Sequence, residues 1–184
     1  MPYAVQGAAL APITTADSVG RRMMLVFTAV ALAIAIIAIS TPSPTFGADA
    51  NSRSSQAARI VHFAKSHLGA RFRMGSEGPR VFDCSGLVYR VYQQAGLVGK
   101  IGGKRMLAAS YYRWFKERGL VSRSNPQVGD VVWWTHGGRI SHTGLYVGNG
   151  KVVSALINPW GVRLTSIHGI RVKFLGFGHV RLGS

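Results

Sequence analysis

The sequence contains few cysteines and few acidic residues. Among 184 residues there is one cysteine, Cys84, which excludes an intramolecular disulfide and any zinc site built from several cysteines. Only 6 residues are Asp or Glu, whereas 22 are Lys or Arg, so the formal net charge is +16. Apolar residues make up 47% of the chain and charged residues 15%, which excludes a disordered polar chain. The excess of positive charge predicts an anionic neighbour: nucleic acid, an acidic membrane or an anionic wall polymer.

The N-terminal segment has the pattern of an export signal. Two arginines precede the apolar run 23–39, and the small residues that follow offer cleavage after Ala48 or Ala50, where Ala-Asp-Ala fits the A-x-A pattern. We therefore interpret residues 1–50 as a cleaved secretory signal peptide. The alternative is an uncleaved membrane anchor, because an apolar run approaching ~18 residues can span a bilayer. Either interpretation exports residues 51–184 as one domain, to the periplasm, the cell wall or the medium.

Most of the positive charge belongs to the exported part. Residues 1–48 contain only Arg21, Arg22 and Asp17 as charged groups, so the remainder carries 20 basic and 5 acidic residues, or +15. These cations are spread singly, without a run of five or more, which is typical of a solvated basic surface. A functional alternative is that this surface holds the protein on anionic wall polymers. An exported binder of nucleic acid or anionic lipid is a third possibility, but export makes nucleic acid a less available target, so we expect none.

The order of apolar patterns predicts an α+β fold. Residues 57–68 repeat at helical spacing behind Ser54 or Ser55 as N-cap, a second helix runs from Cys84 to Gly96, and a third is predicted over 105–118. Runs rich in β-formers follow, and between two of them Gly148-Asn149-Gly150 predicts a hairpin. The strand runs are 130–135, 140–147, 151–157, 161–167 and 172–180. Helices followed by antiparallel strands predict N-terminal helices packed on a C-terminal sheet.

Cys84 is placed as a nucleophile would be. It follows Asp83, a good N-cap, and begins a predicted helix, where unpaired backbone N–H groups and the helix dipole favour the thiolate. Ser85 and Gly86 leave the sulfur little steric cover. The alternative is a small buried hydrophobe, which is the usual role of a lone cysteine. The position at a helix start favours the nucleophile.

A thiol nucleophile needs a base, and the chain has six histidines. His142 begins the best-formed strand, where a rigid sheet can hold an imidazole against a thiol on a helix. The other five lie on a predicted helix, in a glycine loop or near chain ends. A structural histidine is the alternative. An enzyme requires Cys84 and His142 to meet in one cleft.

A third group would orient the imidazole. If the hairpin loop has three residues, Gly144 faces Ser154, and both Ser154 and Asn158 lie one diagonal step from His142 on its face. Diagonal separations are about 7–8 Å, which an asparagine amide spans more nearly than a serine hydroxyl. Asn158 is therefore the favoured orienting residue, and Ser154 acting through water is the second choice. A two-residue loop would place both on the wrong face, and Asn158 can instead simply open a turn.

Three ordered segments resemble motifs of the NlpC-type cell-wall peptidases, a papain-like cysteine hydrolase family, and the resemblance runs from about Ala58 to Val180. The segments are Phe-Asp-Cys-Ser-Gly-Leu-Val at 82–88, Pro-Gln-Val-Gly-Asp-Val at 126–131 and Ser-His-Thr-Gly-Leu-Tyr-Val-Gly-Asn-Gly at 141–150. The resemblance implies a papain-like fold and hydrolysis of peptidoglycan stem peptides, typically at the γ-D-glutamyl to diaminopimelate or lysine bond.

The resemblance also implies roles for residues. Cys84 attacks, His142 is the base, Asp83 and Ser85 match positions that help bind the substrate's amino end, and no metal or cofactor is needed. Two positions depart from the family pattern. Phe72 stands where the family usually has a tyrosine, and Ser154 stands at the third catalytic position, commonly histidine. Loss of an orienting residue can lower activity by orders of magnitude, so a catalytically weakened wall-binding protein of the same fold is the alternative.

Overall fold

The computed structural model of the chain describes residues 46–183, and the predicted export segment up to residue 45 lies outside the described residues. Residues 46–183 contain three α-helices, which precede the large sheet along the chain, and two short strands lie between the first helix and the second. The helices are α1 (Phe46–Ser66), α2 (Cys84–Gln94) and α3 (Ala108–Lys116), with a short 3-10 turn at Val98–Ile101 between α2 and α3. Within the described range, no helix has both the length and the apolar character needed to cross a membrane.

In the described part of the chain, eight strands form two sheets. The small one pairs β1 (Arg71–Phe72) with β2 (Val81–Phe82) in parallel. The large one is antiparallel and follows the order β3-β8-β4-β5-β6-β7. Its strands are β3 (Val121–Ser122), β4 (Val131–His136), β5 (Arg139–Gly148), β6 (Lys151–Leu156), β7 (Gly161–Ser166) and β8 (Lys173–Gly178). The predicted α+β architecture, helices on a C-terminal antiparallel sheet, is confirmed.

Alternation along β4 divides the apolar side chains between the two faces of the large sheet. Trp133 packs into the larger core cluster, which includes Val88 of α2 and Phe115 of α3. Trp134 packs into a smaller cluster on the opposite face, together with Ile167 from the chain after β7. Each fully buried apolar side chain contributes about 1.5–3 kcal/mol, so burial fixes which face of the sheet receives the helices.

The predicted start of the first helix was wrong. The helix begins at Phe46, so Ser54 and Ser55 lie inside it and do not cap it. The Ser55 hydroxyl donates to the carbonyl of Ser52 at 2.9 Å, three residues earlier. A serine that hydrogen-bonds to the preceding turn satisfies its hydroxyl without ending the helix. The serines that the sequence offered as N-caps are therefore interior residues of the helix.

The third helix is shorter than the predicted range 105–118. It covers Ala108–Lys116, and Arg105 lies before it in a loop, where its guanidinium pairs with two carboxylates. The strands β1, β2 and β3, which sequence reasoning missed, have two residues each. Segments this short carry no periodicity, so only tertiary contacts define them.

The hairpin between β5 and β6 has a two-residue turn and not the predicted three. Gly148 pairs with Lys151, which leaves Asn149 (φ 51°) and Gly150 (φ 67°) as the turn, both in the left-handed region that such turns require. A β-bulge at position 147 adds one residue to β5. The bulge shifts the register by one residue, so Leu145 pairs with Val153. A three-residue loop without a bulge would have produced the same pair. The predicted alignment of the two strands is thus correct for a different reason.

Candidate active site

The first turn of α2 is built around the Asp83 side chain. Asp83 is the N-cap, and its Oδ1 accepts hydrogen bonds from the backbone N–H of Gly86 at 2.6 Å and from the Ser85 hydroxyl at 2.9 Å. This satisfies an N–H group that the helix start otherwise leaves unpaired. Cys84 is consequently the first residue of α2, as predicted, and its side chain is partly exposed.

Gly86 is required by close packing at this helix start. A Cβ at position 86 would lie 2.1 Å from the carbonyl oxygen of Ser76 and 2.9 Å from the Cα of Glu77. The same Ser76 carbonyl accepts from the backbone N–H of Asp83 at 2.7 Å. The loop before β2 therefore lies directly against the first turn of α2, and only glycine leaves room for it.

The thiol of Cys84 lies beside strand β5. The pairs between β5 and β6 run from Gly148 only as far as Leu145, whereas β5 stays paired with β4 down to Arg139. Thr143 thus lies just beyond the last pair with β6, and its backbone N–H is near enough to the Cys84 sulfur to favour the thiolate. The sulfur therefore lies near the backbone of the residue that directly follows His142.

The environment of the thiol favours its protonated form. Burial raises the pKa of Cys84 above its ordinary value, and the negative charge of Asp83 adds to this. The backbone N–H groups of Thr143, Ser85 and Cys84 itself act in the opposite direction and are outweighed. The N–H groups at the start of the helix favour the thiolate, as expected, but desolvation of the sulfur is the larger effect.

His142 lies at the point where β5 pairs with β4. It is opposite Trp134, and the two rings are 5.3 Å apart between centroids. Burial lowers the pKa of His142 to about 4, so the imidazole is neutral at physiological pH. Its Nε2 is buried and has no hydrogen-bond partner among residues 46–183. In the same range, no hydrogen bond joins Cys84 to His142: the His142 ring lies against Trp134, whereas the sulfur lies near the Thr143 backbone.

Ser154 faces the predicted position on the neighbouring strand. A Cβ at Gly144 would lie 2.8 Å from the Cβ of Ser154, so the two residues are directly opposite. Ser154 is fully buried, and its hydroxyl has no hydrogen-bond partner within the described part of the chain. Two buried polar atoms without partners, Nε2 of His142 and Oγ of Ser154, thus lie on neighbouring strands. Such groups are unusual and point to a water or a ligand that they bind.

Asn158 lies outside the two strands that carry His142 and Ser154. It lies in the exposed turn between β6 and β7, beyond the last residue of β6, Leu156. Within residues 46–183, no hydrogen bond joins Asn158 to His142. The alternative interpretation of Asn158, that it opens a turn, describes its place in the structure.

The carboxylate of Asp83 is fully engaged by the protein. Besides its two bonds through Oδ1, its Oδ2 accepts from the backbone N–H of Gly75 at 2.7 Å and from Nη2 of Arg105 at 2.6 Å. The Arg105 guanidinium also lies 3.2 Å from a carboxylate oxygen of Glu77. Sequence analysis missed Arg105, because periodicity placed it in a helix and gave no signal for an ion pair across 22 positions.

Phe72 replaces the expected phenol with an apolar ring. It is partly buried in β1, where it packs against the larger core cluster. Met74, two residues later, is 78% exposed. Position 72 therefore offers an apolar ring where the resemblance implies a hydroxyl.

Known proteins resemble this chain in sequence. Residues 69–175 match the NlpC/P60 family. The chain is 38% identical over 123 residues to a probable endopeptidase p60 of Listeria seeligeri, covering 66% of this chain and 22% of that protein. It is 34% identical over 125 residues to the murein DD-endopeptidase MepH of Escherichia coli, covering 65% of this chain and 44% of that protein. The chain thus spans about a quarter to a half of the length of these relatives.

Solved structures show the same fold. The peptidoglycan hydrolase RipB of Mycobacterium tuberculosis superposes with a TM-score of 0.54 at 22% identity, covering 88% of this chain and 85% of that one. The family match covers more than half of the residues and includes both Cys84 and His142. By sequence and by fold, this chain belongs to the NlpC/P60 family.

Proposed function

We propose that this chain is an exported cysteine endopeptidase that hydrolyses peptidoglycan stem peptides, at the bond between a γ-D-glutamyl residue and the diamino acid. The observation that carries the proposal is the position of Cys84, the first residue of α2, near the backbone N–H of Thr143, the residue that follows His142. Membership of the NlpC/P60 family and the murein endopeptidases among the relatives support the reaction and the substrate class.

The reaction starts from an uncharged pair. Burial raises the pKa of Cys84 and lowers that of His142 to about 4, so at neutral pH the sulfur carries a proton and the imidazole does not. As the sulfur adds to the substrate carbonyl carbon, its proton passes to His142, which acts as general base. The carbonyl oxygen becomes an oxyanion that accepts hydrogen bonds from backbone N–H groups at the start of α2.

The intermediate then breaks down to products. The imidazolium of His142 protonates the leaving amine as the C–N bond breaks, which leaves a thioester on Cys84. A water molecule gives a proton to His142 and adds to the thioester, and the thiol is released with its proton restored. Every proton is exchanged between sulfur, imidazole, substrate and water.

Ser154 is the better candidate for positioning His142. Its buried hydroxyl and the buried Nε2 of His142 both lack partners among residues 46–183, and a water between them would hydrogen-bond to both. Asn158, exposed in the turn after β6, has no comparable route to the imidazole. Ser154→Ala is therefore expected to lower kcat while leaving KM nearly unchanged, and Asn158→Ala is expected to change neither.

The decisive experiment is digestion of purified peptidoglycan by the full chain in a non-ionic detergent, followed by mass spectrometry of the released fragments. The parent protein is expected to release fragments cut within the stem peptide, and Cys84→Ala none. His136→Ala, an exposed histidine at the end of β4, is the matched control for His142→Ala. Identical fragments from the parent and Cys84→Ala would refute cysteine catalysis, and fragments cut in the glycan would refute the substrate bond.

A catalytically weakened wall-binding protein is the second candidate. It is favoured by the absence of a hydrogen bond between Cys84 and His142 within the described residues, and by Phe72 in place of a tyrosine. This candidate predicts that the parent and Cys84→Ala sediment equally with insoluble wall and that neither releases soluble fragments. The digestion experiment therefore separates the two candidates directly.

Export and location are proposed from the sequence. We expect the protein in the periplasm, in the cell wall or secreted, with membrane contact only through residues 23–39 if the signal is uncleaved. N-terminal sequencing of the protein from fractionated cells tests this. A cleaved signal gives a new N-terminus after Ala48 or Ala50, and a cytoplasmic protein with residue 1 intact would contradict export.

A further inference from the structure

A basic cavity lies between the 3-10 turn after α2, the end of α3 and the C-terminal segment. Its volume is about 500 Å³, within the range of small-ligand sites. Its lining residues are Gly99, Lys100, Trp114, Arg118, Leu120 and Arg181. Three of these six are cations and none is acidic. Arg118 and Arg181 therefore bring positive charge to a wall whose described lining residues include no carboxylate.

The Arg118 guanidinium is held in place at this cavity. It lies 4.2 Å from the centroid of the Trp114 ring, and its Nη1 donates to the Trp114 carbonyl at 3.0 Å. Its ion pair with Glu117 is 3.9 Å long, and both side chains are about half exposed or more, so that pair contributes little. The cation is thus ordered by Trp114 rather than neutralised by Glu117. An ordered cation loses less side-chain entropy when it binds an anion.

The Trp114 ring is also fixed. It packs edge-on against Phe115 of the core, with ring centroids 5.0 Å apart. Gly102 (φ 101°) lets the 3-10 turn approach the indole, because a Cβ at that position would lie 3.1 Å from Nε1. A rigid aromatic ring beside an ordered cation, in a concave wall, is the arrangement of a binding site rather than of a loose basic surface.

We propose that this Trp114 cavity binds an anionic saccharide unit, separately from the Cys84 site. Arg118 and Arg181 pair with a carboxylate or phosphate of the saccharide, and the indole packs against the apolar face of a sugar ring. The volume accommodates a group of about one or two sugars. A flat bilayer does not enter a concave cavity, which argues against a lipid surface. The inference rests on the proposed function in one respect only: an exported wall enzyme is surrounded by acidic glycopolymers that could supply the saccharide.

The test uses the full chain carrying Cys84→Ala, in a non-ionic detergent, so that binding is measured without hydrolysis. The probes are polygalacturonate, phosphomannan and neutral dextran. The binding of each polymer is measured by calorimetry and by tryptophan fluorescence. At least one anionic polymer is expected to bind, and dextran is not. Arg118→Ala/Arg181→Ala is expected to weaken binding at least tenfold, and Trp114→Phe to weaken it less. Binding of only one anionic polymer identifies the anionic group.

The matched control removes the same charge from the same helix region. Arg113→Ala/Lys116→Ala takes two exposed cations from α3 that do not line the cavity, and is expected to change affinity less than threefold. Equal weakening by both pairs would overturn the site in favour of a diffuse charge effect. The proposal would also be overturned if no anionic polymer bound or if dextran bound equally well. It would be overturned as well if single-stranded RNA or anionic vesicles bound more strongly than the anionic polymers and lost this binding in Arg118→Ala/Arg181→Ala. None of these outcomes depends on peptidase activity.

Discussion

Nη2 of Arg105 lies 2.6 Å from Oδ2 of Asp83, so the residue preceding Cys84 is held by a cation from the loop before α3. The Asp83 side chain is nearly fully buried, whereas Arg105 is one-quarter exposed. Four donors satisfy the carboxylate, and the substrate's amino end would have to displace one of them to bind there. The geometry indicates that Asp83 supports the nucleophile's helix.

Removing Arg105 is therefore expected to destabilise the protein. Arg105→Ala leaves a buried carboxylate with one donor fewer, which costs about 1–3 kcal/mol in the free energy of unfolding. Urea denaturation followed by circular dichroism measures it. Arg113→Ala, an exposed arginine of α3, is the control and is expected to change stability by less than about 0.5 kcal/mol. Equal effects in both variants would show that the ion pair with Asp83 contributes nothing.

Gly86→Ala is expected to damage the start of α2. The new Cβ would lie 2.1 Å from the backbone carbonyl of Ser76, which cannot move without shifting the loop before β2. We expect a loss of at least about 1–3 kcal/mol of stability together with loss of activity. Gly99→Ala is the matched control, because a Cβ there meets nothing within 4 Å. Unchanged thermal unfolding of Gly86→Ala would contradict the close packing described here.

The pH dependence of Cys84 alkylation tests its protonation state. Because burial raises the pKa of Cys84, the thiolate fraction at neutral pH is smaller than in a free cysteine. The rate of reaction with iodoacetamide is expected to be low at pH 7 and still rising at pH 9. Cys84 is the sole cysteine of the chain, so Cys84→Ala supplies the background. A rate that levels off below pH 7 would instead indicate a thiolate–imidazolium pair.

His142 is expected to make stability depend on pH in the acid range. Its pKa is about 4 in the folded chain and about 6.5 when unfolded, so the unfolded state binds more protons between these values. The free energy of unfolding therefore falls as pH decreases from about 6.5 to about 4. His142→Gln is expected to remove this component, whereas His136→Gln, exposed at the end of β4, retains it. Parallel stability curves for the parent and His142→Gln would refute the depressed pKa.

Local patterns were enough to predict the architecture and the position of Cys84. Helical spacing placed α2, the capping preference of Asp83 placed its first residue, and β-formers placed the longer strands. These signals are local, because they depend on residues within one or two turns or along one strand. The pairing of Leu145 with Val153 was also predicted, although the predicted length of the hairpin loop was wrong.

What the sequence by itself determined was therefore the order of helices and strands, the motifs and the identity of the thiol and the imidazole. Only the tertiary structure decided that Asn158 lies in an exposed turn, that Arg105 binds Asp83, and that burial keeps Cys84 protonated. The physical reason is that desolvation and ion pairing depend on groups distant along the chain, and a local pattern holds no information about them.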